Sequence, residues 1–158
     1  MKVTTIINTP LGPTEISGDE DGISCIRILD QAQPDSNDIP EVLISAVEQL
    51  TVYFNGGLEA FNLKLNPEGT PFQKKVWNAL SQIHYGNTIS YLELSKILGD
   101  VKAIRAVAAA NGKNPLWIVV PCHRVIGKDG SLTGYAGGLW RKKWLLEHEH
   151  PPAQQSLF

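Results

Sequence analysis

Pro121-Cys122-His123-Arg124-Val125 brings together the residue types that nucleophilic chemistry needs. Cysteine reacts as its thiolate, and a neighbouring base or positive charge lowers the thiol pKa into the working range. Pro121 fixes the backbone angle ahead of the thiol. His123 supplies a base, Arg124 a charge, and a Gly-rich stretch follows closely. A cysteine that merely follows an apolar run is more often an inert core thiol, and that alternative stays open here. The three neighbours favour a reactive Cys122. The apolar run 116–120 is expected to be the strand that delivers it. Successive side chains on an extended chain point opposite ways, so His123 is expected to reach Cys122 through a bridging water.

The elements that must position this segment can be taken in chain order. Residues 1–30 read as strands: Val3 to Ile7, then a break at Pro10-Leu11-Gly12-Pro13, then Thr14 to Ser17, a turn at Asp19-Glu20-Asp21-Gly22, and Ile23 to Leu29. Cys25 in the last of these is expected in the core. After a polar loop, Val42, Leu43, Ala46, Val47, Leu50 and Phe54 recur at helical spacing and Asn55-Gly56-Gly57 ends the run. A boundary falls at Asn66-Pro67-Glu68-Gly69. Thr70-Pro71-Phe72-Gln73 combines a Thr N-cap, a proline at the first helical position and Gln three residues on, so a helix starts there with Phe72, Val76, Leu80 and Ile83 on its buried face. Ser90-Tyr91-Leu92-Glu93 is a second capping box, Gly99 a break, and Asp100 the cap of an alanine-rich helix from about 101 to 110. Two short helices joined by a tight Gly turn have the layout of a helix-turn-helix. Val125 to Leu132 reads as a hairpin turning at Asp129-Gly130, in the position of a wing. Leu139 to Glu149 is a final amphipathic helix, with Arg141, Lys142 and Lys143 expected on its exposed face. The fold class is α/β (α+β): a small N-terminal α/β domain with a short sheet over 1–69, a C-terminal winged-helix-like domain over 70–150, and a tail over 151–158.

Pro121-Cys122-His123-Arg124-Val125, followed by Gly134-Tyr135-Ala136-Gly137-Gly138-Leu139 and Trp144-Leu145-Leu146-Glu147-His148-Glu149, resembles the O6-alkylguanine-DNA alkyltransferase family. The resemblance runs from about residue 70 to 149. It implies a guanine alkylated at O6 in duplex DNA as substrate, rotated out of the stack because an atom on the pairing edge is otherwise out of reach. Cys122 would take the alkyl group as a permanent thioether, once per molecule and without a cofactor. The resemblance further implies that Glu149 orients His123, that Asn114 steadies the backbone at the site, and that Tyr91 donates to the departing guanine. Arg105 would fill the gap in the stack, with Ser90, Ala106 and Arg124 also at the DNA. The pocket would comprise Val125, Trp117, Tyr135, Ala136 and Gly137, the carbonyls of Cys122 and Val125 reading the exocyclic amine. Ala136 stands where many relatives carry Ser, and Trp117 where some have a smaller residue, which is expected to narrow the entrance. Relatives without transferase activity have Trp at the nucleophile position, and this chain has Cys122. It lacks the Cys/His set of the zinc site that some relatives carry in the N-terminal domain, so no metal is expected.

Composition narrows the alternatives. The chain of 158 residues is 42% hydrophobic and 19% charged, as in soluble globular proteins. No apolar stretch approaches the roughly 20 residues that span a bilayer, and Met1-Lys2-Val3-Thr4-Thr5 lacks the apolar run expected of a secretory signal. Two cysteines, with one reactive, fit a reduced cytoplasmic setting. The net charge of −2 divides sharply: residues 1–70 carry three basic and eleven acidic groups, residues 71–158 eleven basic and five acidic. A basic half fused to an acidic half points to a polyanion on one side. Two other classes stay open on the residues alone, a winged-helix DNA binder that transfers nothing and a cysteine hydrolase built on Cys122, His123 and Glu149. A monomer is expected. The tail residues Gln154, Leu157 and Phe158 resemble the short peptide with which bacterial repair proteins dock into the sliding clamp.

Overall fold

The computed structural model describes residues 1–130, 135 and 137–150. Ser131 and Leu132 of the expected hairpin, Ala136 of the expected pocket and the tail residues Gln154, Leu157 and Phe158 lie outside the described residues. The chain forms an α+β structure. Strands β1 (Val3–Thr9), β2 (Gly12–Asp19) and β3 (Gly22–Ile28) form an antiparallel sheet in that order. Thr14, Ile16 and Ile26 turn inward. Cys25 points to the face opposite Ile26 and is only half-buried, not the core residue expected. A 3-10 turn, Glu41–Leu43, leads into α1 (Ile44–Phe54), whose Ala46, Leu50 and Tyr53 are fully buried.

The outer edge of β3 is not left open. Ile23 N–H donates to Lys64 O and Asn66 N–H to Ile23 O, both at 2.8 Å. Further along, Ile26 N–H donates to Pro115 O at 2.8 Å and Trp117 N–H to Ile26 O at 3.1 Å. Edge N–H and C=O groups that would otherwise face water thus tie the N-terminal sheet to the segment ahead of Cys122. Here the expected strand 116–120 is overturned. Leu116 makes a single isolated bridge to Ile26 of β3, through the bonds of its neighbours Pro115 and Trp117, and the chain then coils through tight turns. A five-residue apolar run reads alike as a buried strand or a buried turn.

Helix α2 (Pro71–Leu80) begins at the Thr70–Gln73 capping box, both of whose hydrogen bonds form. Its buried face differs from expectation by one residue: Phe72 in the first turn is 38% exposed, and Trp77 is buried, its Nε1–H donating to Ala110 O at 2.8 Å. Ser90 and Glu93 close the second capping box and start α3 (Tyr91–Ile97). Gly99, at φ +91°, reverses the chain, a conformation that costs a residue with a Cβ. Asp100 then accepts from Lys102 N–H at 2.9 Å, and a 3-10 turn, Val101–Ala103, runs into α4 (Ile104–Gly112). Two short strands, β4 (Ile89–Ser90) and β5 (Val125–Ile126), pair in parallel, so the partner of 125–126 is β4 rather than a hairpin arm within the described residues. Helix α5 (Leu139–Glu149) closes the described chain. No helix among the described residues is long and apolar enough to cross a membrane.

Candidate active site

Three consecutive turns place Cys122. Val119 N–H donates to Trp117 O at 2.8 Å around Ile118, whose φ is +71°. Positive φ in a β-branched residue costs about 1–3 kcal/mol and persists only where surrounding packing enforces it. Ile118 is 1% exposed, and burying such a side chain contributes about 1.5–3 kcal/mol, enough to offset the strain. Val120 N–H then donates to Leu116 O at 2.9 Å, and Cys122 N–H to Val120 O at 2.8 Å. The last is an inverse γ-turn centred on Pro121, at φ −83°, ψ 66°, where proline's ring already holds φ. Asn114 clasps the whole excursion. Its Oδ1 accepts from Leu116 N–H at 2.9 Å, and its Nδ2 donates to Val120 O at 2.6 Å. Asn111 Nδ2 adds a longer contact of 3.5 Å to Cys122 O, which also accepts from Val125 N–H.

Cys122, His123 and Arg124 form one 3-10 turn and are all buried. Because the backbone turns here, His123 is not simply opposed to Cys122 as on an extended chain. Its imidazole has no exposed surface, and Nε2 lies 2.7 Å from Glu149 Oε2 at the end of α5. The Glu149 carboxylate, 1% exposed, also accepts from Arg124 Nε at 2.7 Å, Arg124 Nη2 at 2.9 Å and the Tyr53 hydroxyl at 2.6 Å. Arg124 Nη1 donates to Ile83 O at 2.6 Å. Arg124 was expected at the DNA; it is instead the counter-ion of Glu149, which a buried carboxylate requires.

These contacts fix protonation states. Burial alone would raise the Glu149 pKa, but its hydrogen bonds to His123 and Arg124 and the charges of both outweigh that and lower it to about 2. Burial pushes His123 down, against the pull of Glu149. A neutral ring facing a carboxylate carries its proton on Nε2, leaving Nδ1 as the acceptor. Nδ1 is buried and makes no hydrogen bond to the described residues. Burial also pushes the Cys122 thiol up, opposed by the Asn114 amide and the Lys142 charge. Thiol and imidazole are therefore both neutral at rest.

The remaining expected residues divide in two. Tyr91, at the start of α3, is half-buried with the Lys142 ammonium 5.8 Å from its ring. Val125 and Gly137 are buried, and Trp117 is 6% exposed. The Tyr135 hydroxyl lies near both Trp117 and the Cys122 thiol, yet neither it nor Trp117 Nε1 completes a well-formed hydrogen bond among the described residues. On α4, Arg105 and Ala106 are exposed, whereas the Ser90 hydroxyl is committed to capping α3. Lys142 corrects another expectation. It is fully buried rather than on the exposed face of α5, and burial lowers its pKa. Tyr53 was missed altogether, since nothing local marks one aromatic on an amphipathic helix as a partner for a carboxylate 96 residues away. No group of three His, Cys, Asp or Glu among the described residues could hold a metal ion.

Comparison with known proteins gives this arrangement its context. Residues 71–151 match the 6-O-methylguanine DNA methyltransferase DNA binding domain, and residues 2–67 match the ribonuclease-like domain of the same proteins. The methylated-DNA–protein-cysteine methyltransferase of Methanosarcina acetivorans is 48% identical over 149 residues, covering 91% of this chain and 96% of that protein. Its counterpart in Mycobacterium tuberculosis is 45% identical over 158 residues, covering 96% of each. The crystal structure of the M. tuberculosis O6-methylguanine methyltransferase superposes with a TM-score of 0.86 at 43% identity, over 99% of this chain and 98% of that one. The structure of M. tuberculosis OGT in complex with DNA superposes at 0.82, with 45% identity over 91% and 90% of the two chains. With both halves matched and the buried Cys122, His123 and Glu149 set on the matched framework, the chain belongs to the 6-O-methylguanine DNA methyltransferase family.

Proposed function

We propose that this chain repairs DNA by direct reversal, moving the alkyl group of an O6-alkylguanine in duplex DNA to its own Cys122. The buried Cys122 followed by a buried His123 whose Nε2 is held 2.7 Å from Glu149 Oε2 is the observation that carries the reading. The Cys122 proton passes through a water molecule to His123 Nδ1 as the sulfur attacks the alkyl carbon. The carbon–O6 bond breaks, a carbon–sulfur bond forms, and the Tyr91 hydroxyl donates to the base so that it departs as neutral guanine. The proton on His123 then returns to Tyr91 through solvent. Glu149 stabilises the transient imidazolium, and Arg124 prevents that carboxylate from being buried uncompensated. A thioether is a poor leaving group, so each molecule acts once and needs no cofactor.

Residues 70–150 carry this chemistry and the DNA face, and residues 1–69 support them. The exposed Arg105 and Ala106 on α4 suit a helix that approaches DNA closely, with Arg105 replacing the extruded base in the stack. Trp117, Tyr135, Ala136 and Gly137 with Val125 would line the pocket, and Trp117 would disfavour bulky adducts. Alkylated thymine is a second candidate substrate. The protein acts as a monomer in the reducing cytoplasm, where the thiol stays free. Its Gln154, Leu157 and Phe158 tail would dock on the sliding clamp, and a tail peptide that fails to bind purified clamp in titration removes that element.

Mass spectrometry after incubation with an O6-methylguanine duplex tests the reaction. One methyl group on Cys122, and none in Cys122→Ser, is the expected result. An unmodified protein that still binds the duplex would make it a damage sensor, and turnover of esters a hydrolase.

A further inference from the structure

Glu149 receives one donor from outside the C-terminal half. The Tyr53 hydroxyl, at the C-terminal end of α1, donates to Oε2 at 2.6 Å, and the Tyr53 side chain has no exposed surface. Oε2 is the oxygen that also faces His123 Nε2 at 2.7 Å and Arg124 Nη2 at 2.9 Å, whereas Oε1 accepts from Arg124 Nε at 2.7 Å. Tyr53 and His123 therefore compete for the same lone-pair density. The tyrosine is held in place at its backbone as well, because His148 Nε2 lies 2.7 Å from Tyr53 O, and the two rings sit 5.1 Å apart.

We infer that Tyr53 is a positioning residue of the alkyl-transfer site, through which the N-terminal domain sets the basicity and orientation of His123 by donating to Glu149. It rests on the reading of Cys122, His123 and Glu149 as the transfer site. The groups facing this carboxylate and imidazole are Tyr53 from α1, Tyr85 from the loop after α2, His123 and Arg124 from the active-site turn, and Lys142 and His148 from α5. Arg124 and Lys142 both oppose protonation of His123, and Glu149 favours it. A phenol held on a carboxylate away from water stays protonated, so Tyr53 is a permanent donor. It spreads part of the Glu149 charge away from the imidazole. Removing the donor leaves a more basic carboxylate facing His123, which raises the pKa of His123 and so removes the free base at a higher pH.

The test follows the His123 ring nitrogens by 15N NMR across pH in the DNA-free protein, alongside single-turnover methyl transfer across the same range. In Tyr53→Phe, the His123 titration and the acidic limb of the rate profile should both move up by roughly half a pH unit. With 3-fluorotyrosine at position 53, a stronger donor of nearly the same shape, both should move down. Tyr85→Phe deletes a hydroxyl that donates to the His148 carbonyl at 3.3 Å within the C-terminal half, on a ring 6.3 Å from that of Tyr53, and should leave the titration where it was. An unmoved His123 titration in both Tyr53 variants, or an equal movement in Tyr85→Phe, overturns the inference. If the wild type transfers no alkyl group while the titration moves as expected, the reading of the site as a transferase fails and the coupling of Tyr53 to His123 stands.

Discussion

Lys142 is the residue whose environment departs furthest from its type. A lysine with no exposed surface is costly, and burial lowers its pKa, yet its charge opposes the rise that burial imposes on the Cys122 thiol. The two shifts describe one interaction: the ammonium favours the thiolate, and a thiolate favours the ammonium. Replacing it with a neutral side chain of similar length, Lys142→Met, removes that support. Alkylation of Cys122 by iodoacetamide at pH 8, read by mass spectrometry, should slow by about tenfold for each unit the thiol pKa rises. An unchanged rate in a variant with native circular dichroism would show that the charge does not reach the sulfur. Lys142 and Arg124 were both misread from sequence for the same reason. A cation on an amphipathic helix or beside a motif is normally solvated, and only the fold reveals that these two face a buried thiol and a buried carboxylate.

Helices α3 and α4 show which parts of such a site a sequence can carry. Their caps are local: Ser90 with Glu93, and Asp100 with Lys102 N–H, lie within three residues of each other and could be read directly. The turns that aim Cys122 are not local in that sense, because Asn114, Pro121 and the enforced backbone at Ile118 act together on a run whose composition also suits a strand. The two-residue pairing of β4 with β5 joins segments 36 positions apart, at Ile89 and Val125, and no period announces it. What α4 does is open to a direct test. Arg105 is exposed and the neighbouring Ala106 leaves room for close approach. If Arg105 holds the stack open, Arg105→Ala should slow transfer from an O6-methylguanine duplex by tenfold or more, since unstacking costs roughly a few kcal/mol. The reaction of Cys122 with free O6-benzylguanine, which needs no extrusion, should keep its rate. Equal losses on duplex and free base would place Arg105 in the pocket instead.

At the level of the whole molecule, the two halves are joined by polar links, and the one made through the buried Glu149 is sensitive to acid. Tyr53 reaches Glu149, Arg141 Nε donates to Leu11 O at 2.9 Å, and the segment ahead of Cys122 is bonded to β3. Unfolding one half exposes the carboxylate that the other half holds, so the halves should melt together. The signs of the two titrations agree. Glu149 has its pKa lowered from 4.5 to about 2, so its contribution is complete above 4.5 and is lost as pH falls from there toward 2. His123 is held below its ordinary 6.5 in the folded state, so on acidification the unfolded chain takes up its proton first, and stability falls from about pH 6.5 downward. Thermal melts should therefore give a single transition whose midpoint changes little from pH 8 to 7, declines below 6.5 and declines more steeply below 4.5. Glu149→Gln strands Arg124 and should lower the midpoint at neutral pH, a buried pair broken on one side costing about 3–5 kcal/mol. The same variant should flatten the decline below pH 4.5, because the group responsible no longer titrates. Two separate transitions in the wild type, or an equally steep acid limb in Glu149→Gln, would mean that the carboxylate shared by the two halves does not govern how they come apart.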